Sequence, residues 1–218
     1  MSDMTRFRDA AIAWAASGND ADAAAELART LAERVSTMVL VEGRSDVAAI
    51  DVLATRLGRD LDAERVAIVP IGGATAIRRF LDPFGPTGLD LRLAGLVDAG
   101  EWRFFRQAIQ HDRHPELTPD ELEQLGFFIC DPDLEHELVR AIGTERTLEV
   151  IASEGHAKAW EMFRNQPAQR ERPLDQQLFR FMATMSGRKS QYAAALATAV
   201  DLDYIPRPIE ELLRFFRH

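Results

Sequence analysis

Four stretches govern what this chain can fold into. Residues 38–41, 66–71, 91–97 and 127–130 are almost uninterruptedly apolar, and each runs into a glycine or an acid. They are too short for buried helices and lack the alternation of a half-exposed strand, which leaves strands buried on both faces. Helical spacing follows each of the four. Strands alternating with helices imply a parallel sheet covered on both faces, because parallel neighbours need a crossover between them.

The remaining punctuation fits that plan. Before the first strand, Thr5 to Ala16 is an alanine-rich amphipathic stretch closed by Ser17-Gly18-Asn19, and residues 20–34 restart with Ala24, Leu27, Leu31 and Val35 three or four apart. After the first strand, Ser45 is the expected N-cap of a helix with Ile50, Leu53 and Leu57 on one face and Gly58 as its stop. Gly72-Gly73 closes the second strand and opens a short helix, residues 74–81, which Asp82-Pro83 should end. An arginine- and aromatic-rich helix over 102–109 follows the third strand. Thr118-Pro119-Asp120-Glu121 reads as a capping box with proline at the first helical position. Asp133 should cap a helix over 134–142 that Gly143 stops.

From Thr144 onward no strand signal appears. Thr144, Pro173 and Pro206 open helices, Gly155 and Gly187 punctuate them, and a last helix sets Leu212, Leu213 and Phe216 on one side. The expected fold class is therefore α/β: a four-stranded, mostly parallel sheet flanked by helices, with N-terminal helices and a helical C-terminal third. The expected division is a helical lead-in (1–36), an α/β core (37–143) and a helical extension (144–218) completing the same domain.

Composition excludes several classes. Of 218 residues, 46% are hydrophobic and 28% charged, as in ordinary globular chains, and no apolar run approaches membrane-spanning length. Residues 1–8 are polar and charged, so no signal peptide and a cytoplasmic location are expected. The single cysteine, Cys130, lies in an apolar run and reads as an inert buried thiol. A net charge of −9 argues against nonspecific nucleic-acid affinity over the whole surface. It leaves room for a local basic channel: between Trp160 and Lys189 the balance is +3.

The acids carry the chemistry. Glu42 follows the first strand, and Gly43 leaves the space beside it open. Asp46 falls in the first turn of the next helix, Asp98 follows the third strand, and Asp133 and Glu135 follow the fourth. In an open α/β sheet ligands bind beyond the carboxyl ends of the strands, so these carboxylates converge if strands one and three are neighbours. Magnesium takes hard oxygen ligands, and carboxylates gathered on one rim can hold it against a phosphate. That points to phosphodiester chemistry. The plainer readings are a solvated strand end for Glu42, a helix-dipole partner for Asp46 and an ordinary N-cap for Asp133. His111, His114, His136, His156 and His218 share no metal-ligand spacing, which disfavours zinc hydrolysis.

Taken in order, V-E-G-R-S-D from Val41, the Gly72-Gly73 pair, Asp98, D-L-E from Asp133 and G-R-K-S-Q-Y-A from Gly187 resemble the TOPRIM domain of the overcoming-lysogenization-defect (OLD) nucleases. The resemblance covers residue 38 to the C-terminus. It implies a compact α/β nuclease fold that cuts DNA with one or two Mg2+ or Mn2+ ions. Glu42 and Asp46 would be metal ligands from the first motif, Asp98 the shared ligand, and Asp133 with Glu135 ligands for a second ion. Lys189 would stabilise charge developing on the phosphate, acting with Glu42 as the catalytic residues. Gly72, Gly73 and Arg188 would contact nucleic acid. Partners so implied are DNA, a separate ATPase and a second copy of the chain as a homodimer.

Two departures from the family pattern matter. Where the family has D-x-D, this chain reads Asp98-Ala99-Gly100-Glu101. Either Glu101 substitutes with a longer arm, or the site holds one ion, or activity is lost. Family members also carry an ATPase with a phosphate loop, whereas Ser186-Gly187-Arg188-Lys189-Ser190 lacks the earlier glycine such a loop requires. No nucleotide cofactor is therefore expected. Two readings compete: a magnesium-dependent nuclease or phosphohydrolase, and a catalytically weakened module that binds nucleic acid or a partner. A response-regulator-like acidic pocket ranks third, because Lys189 lies in a late helical segment and not after a strand.

Overall fold

The computed structural model describes residues 1–110, 117–184 and 188–216. The four apolar runs are its strands: β1 (Thr37–Val41), β2 (Val66–Pro70), β3 (Arg92–Asp98) and β4 (Phe127–Cys130). They form one sheet in the order β2-β1-β3-β4, and every neighbouring pair is parallel, so the expected mostly parallel sheet is wholly parallel among the described residues. Val39 on β1 sits opposite Ile68 on β2 and Ala94 on β3.

Helices α1 (Asp3–Ala15) and α2 (Ala21–Ala32) precede β1, and α3 (Arg44–Arg56) joins β1 to β2. A 3-10 turn (Ala74–Ala76) and α4 (Arg78–Phe84) join β2 to β3, and α5 (Trp102–Ile109) and α6 (Pro119–Gln124) join β3 to β4. After β4 come α7 (Leu134–Ser153), α8 (Ala157–Arg164), α9 (Leu174–Thr184), α10 (Lys189–Ala199) and α11 (Arg207–Phe215).

Strand alternation divides the helices into two layers, since successive side chains leave a strand on opposite faces. Val39, Val41, Leu96, Phe128 and Cys130 pack with α3 and α7–α11. Met38, Leu40, Val97 and Phe127 pack with α1, α2, α4, α5 and α6. The N-terminal helices thus cover a sheet face: Phe7 on α1 is fully buried, its ring edge-on to Phe84 on α4 at 5.8 Å between centroids. Cys130 is buried too, and burial pushes its thiol pKa well up, as an inert thiol requires.

The caps follow the local chemistry with two corrections. Thr118 and Glu121 exchange side-chain-to-backbone hydrogen bonds as a capping box, and Asp133 Oδ1 accepts from the His136 N–H at 2.8 Å. Ser45, however, is not the N-cap of α3. Asp46 reaches back to accept the Gly43 N–H at 2.8 Å, which starts the helix at Arg44. Pro83 does not end α4 but lies inside it. The buried Phe84 ring, wedged edge-on against Phe7 and also against Trp14 at 5.0 Å, holds that last turn despite the missing N–H. Gly143 stops the first helix of α7 as expected: at φ 75° and ψ 169° it leaves helical geometry, and a second helix runs on from Thr144. The expected break at Gly187 lies outside the described residues.

Candidate active site

The site grows from the carboxyl ends of β1 and β3. These strands are neighbours, so Glu42, immediately after β1, and Asp98, the last residue of β3, reach the same rim. A cleft of about 370 Å3 opens there, lined by Glu42, Gly43, Arg44, Ser45, Asp46, Gly72, Gly73, Asp98, Asp133, Glu135, Lys189 and Ser190. Asp133 and Glu135 arrive through the N-terminal end of α7. Lys189 is the first residue of α10 and reaches the rim only because α10 packs against α3 and α7 in the layer below.

The rim is shaped by a backbone contact. The carbonyl of Glu42 accepts the N–H groups of Gly72 and Gly73 at 3.0 and 3.2 Å. Both glycines are left-handed, at φ 77° and 109°, which side-chain-bearing residues rarely adopt. Their amides are thus spent on Glu42, and what they offer a ligand is open space. Gly43 differs: its backbone is extended, and an added Cβ would meet only Ser45 Oγ, at 3.8 Å.

Like charges crowd this cleft. Asp46 is 8% exposed, and burial raises its pKa to about 7 against the opposing pull of the Gly43 N–H; Glu135, Glu42 and Asp133 push the same way as burial. Asp98 is raised to about 8, first by burial, then by its hydrogen bond with Glu42 and by the charges of Glu42, Asp46 and Asp133. Two carboxylates can hydrogen-bond only through a proton. Asp98, with its pKa raised to about 8, therefore carries that proton at neutral pH.

Glu101 belongs to the same cluster. The Glu101 N–H donates to the Asp98 carbonyl at 2.8 Å, closing a turn through Ala99 and Gly100. Its carboxyl then meets the Ala74 N–H and Glu42, and burial followed by the Glu42 charge raises its pKa. Glu101 Oε2 is buried and lacks a hydrogen-bond partner among the described residues. Such an orphaned oxygen costs free energy unless a ligand satisfies it. The donors are all oxygen and anionic, the set that suits a hard divalent cation. Still, no group of three or more His, Cys, Asp or Glu side chains among the described residues is arranged to hold a metal ion: the acids share a cleft without closing a coordination sphere.

Arg188 does not join them. Its guanidinium contacts His156 Nε2, while His156 Nδ1 lies 2.6 Å from the Tyr192 hydroxyl. Sequence reasoning missed Arg44, although it stands inside the V-E-G-R-S-D run. It also missed His136, Phe179 and Tyr192, which line a second pocket sharing Asp133, Glu135 and Lys189 with the cleft. No local signal marks those three, since they meet only through packing of α7, α9 and α10.

Comparison with known proteins agrees with this geometry. Residues 35–99 match the family model for the TOPRIM domain of overcoming-lysogenization-defect-like proteins. Among solved structures, the C-terminal region of the Burkholderia pseudomallei OLD protein superposes with a TM-score of 0.66 at 21% identity, covering 84% of this chain and 97% of that one. The C-terminal region of the Xanthomonas campestris pv. campestris OLD protein gives 0.64 at 27% identity over 84% of this chain and 94% of its own in an iodine-phased structure. A platinum-phased structure of the same region gives 0.66 at 27% identity. No curated protein matches. TOPRIM domains are nuclease-type modules that bind divalent metals. Residues 35–99 are accordingly an OLD-like TOPRIM domain, set in a chain that shares the fold of the C-terminal regions of OLD proteins.

Proposed function

We propose that this protein is a magnesium- or manganese-dependent nuclease that hydrolyses phosphodiester bonds, with DNA as substrate. The observation that carries the reading is one cleft in which Glu42, Asp46, Asp98, Asp133 and Glu135 face Lys189. The five carboxylates would hold one or two ions, with Glu101 supplying the oxygen that the second aspartate of D-x-D supplies elsewhere. Bound ions contribute Lewis acidity toward phosphate oxygens. The Asp98 proton must leave before that carboxylate can ligate, so loading competes with protons and weakens as pH falls. Lys189 offsets the negative charge that grows on the phosphate during displacement. Arg188, turned toward His156, serves binding through its charge and not the chemistry. Cytoplasmic action, a homodimer and a separate ATPase partner complete the proposal.

A second reading rests on the Asp98-Ala99-Gly100-Glu101 sequence and on the open arrangement of the acids. On that reading the cleft is a weakened site, and the chain binds nucleic acid or a partner without cutting it. Calorimetric titration with magnesium and manganese, paired with cleavage assays on plasmid and single-stranded DNA, separates the two. Metal-dependent cleavage abolished by Glu42→Ala supports the nuclease; DNA binding with no cleavage in either metal supports the binding module.

A further inference from the structure

Beside the acid cleft lies a pocket of about 130 Å3, and the two share Asp133, Glu135 and Lys189. Its character is different: Phe179, Met182, Ala183 and Leu196 make the wall largely apolar. His136 stacks on Phe179, with centroids 3.5 Å apart and planes 20° from parallel. The imidazole is held in turn by Asp133, whose Oδ1 lies 2.6 Å from its Nδ1. A fixed aromatic wall has therefore been built next to a phosphate-handling cleft, with one cation, Lys189, at the boundary.

Tyr192 completes the lining, with its hydroxyl 2.6 Å from His156 Nδ1. Burial raises the Tyr192 pKa to about 12, so the phenol is un-ionised at neutral pH.

We infer that this pocket receives an unstacked nucleobase of the strand whose phosphate lies in the acid cleft, so that the substrate is DNA with unpaired bases at the cut. The inference deepens the proposed nuclease reading and rests on it. Size favours one ring: the pocket is well below the roughly 300–1,000 Å3 of sites that enclose a whole drug-sized ligand, and the larger cleft next door takes the sugar-phosphate. Stacking on an aromatic face tolerates any base, because every base has a π-face. A base inside a duplex cannot enter without giving up its stacking and pairing, which weakens binding of paired DNA.

The test is fluorescence anisotropy in millimolar calcium with three labelled probes. These are a single strand roughly 12 nucleotides long, within the span such surfaces occupy, the same strand with abasic residues throughout, and the strand paired in a duplex. The parent should bind the single strand about tenfold more tightly than either other probe, the discrimination that one stacked base supplies. Phe179→Leu keeps apolar volume and removes the ring, and it should shrink the gap between intact and abasic strands to within about twofold; Phe179→Ala is the harsher companion. A general folding defect would weaken both strands alike and leave their ratio unchanged. A parent that binds intact and abasic strands equally, or a Phe179→Leu protein that keeps the full ratio, overturns the base pocket and leaves the nuclease reading standing. A parent that binds no probe overturns both.

Discussion

Replacing Asp98 by asparagine should make the metal-free protein more stable while removing its response to metal. Asp98 keeps its proton up to about pH 8 in the fold, against 3.8 in an open chain. The unfolded chain ionises freely and collects about 1.36 kcal/mol per pH unit above 3.8. At pH 7.5 the fold forgoes up to about 5 kcal/mol of this. Asp98 is partly exposed, so solvent screening reduces the figure to roughly 1–3 kcal/mol. The neutral amide introduced by Asp98→Asn would carry no such penalty, and it can donate to Glu42 where the Asp98 proton stood. For a chain this size about 1 kcal/mol corresponds to 2–4 °C, which puts the expected rise at roughly 3–10 °C in EDTA at pH 7.5. Because the folded pKa is raised, the parent's relative stability is complete below 3.8 and lost as pH climbs toward 8. The advantage of Asp98→Asn should therefore fade near pH 4. Millimolar magnesium or manganese should stabilise the parent by about 2–3 kcal/mol if present at a hundred times its dissociation constant, and Asp98→Asn little. Thermal unfolding by circular dichroism, with and without metal, reads both effects. An Asp98→Asn protein that melts at or below the parent in EDTA, or gains as much from metal, would refute the reasoning.

Four further outcomes follow from the same geometry. Lys189→Ala should lower cleavage at least a hundredfold while leaving the metal-induced melting shift nearly intact, whereas Arg188→Ala should act mainly on binding and lose its effect at high salt; cleavage and titration assays on both variants decide this. Glu101→Gln should cut metal-dependent activity by an order of magnitude or more if Glu101 stands in for the second aspartate, and unchanged rates in both metals would remove it from the site. Lowering the pH from 8 to 6 should raise the melting temperature of the metal-free parent, since Asp46 and Asp98, with pKa values near 7 and 8, take up protons across that window; a falling curve would contradict the protonated pair. Gly73→Ala should cost about 1–3 kcal/mol in chemical denaturation, because φ 109° strains any side-chain-bearing residue.

Much of the fold was legible because it is written locally. A short run such as residues 38–41 can be buried on both sides only as an inner strand, and Thr118 with Glu121 or Asp133 with the His136 N–H are contacts between residues three apart. Glu42, Asp46, Asp98, Asp133 and Glu135 could be read as one rim, since each is tied to a strand end and a parallel sheet sends all those ends the same way. The tertiary structure decided the rest. Whether Ser45 or Asp46 closes the N-terminus of α3 depends on which side chain reaches Gly43, and the helix around Pro83 survives because Phe84 is buried by residues some seventy positions earlier. Glu101 enters the cluster through the turn that follows Asp98, and Lys189, Phe179 and Tyr192 reach it only because α9 and α10 pack under the sheet beside α3 and α7. Strand ends and caps follow from neighbouring residues; the meeting of an acid at position 42 with a lysine at position 189 follows from burying apolar surface across the whole chain, and that is a property of the packed core alone.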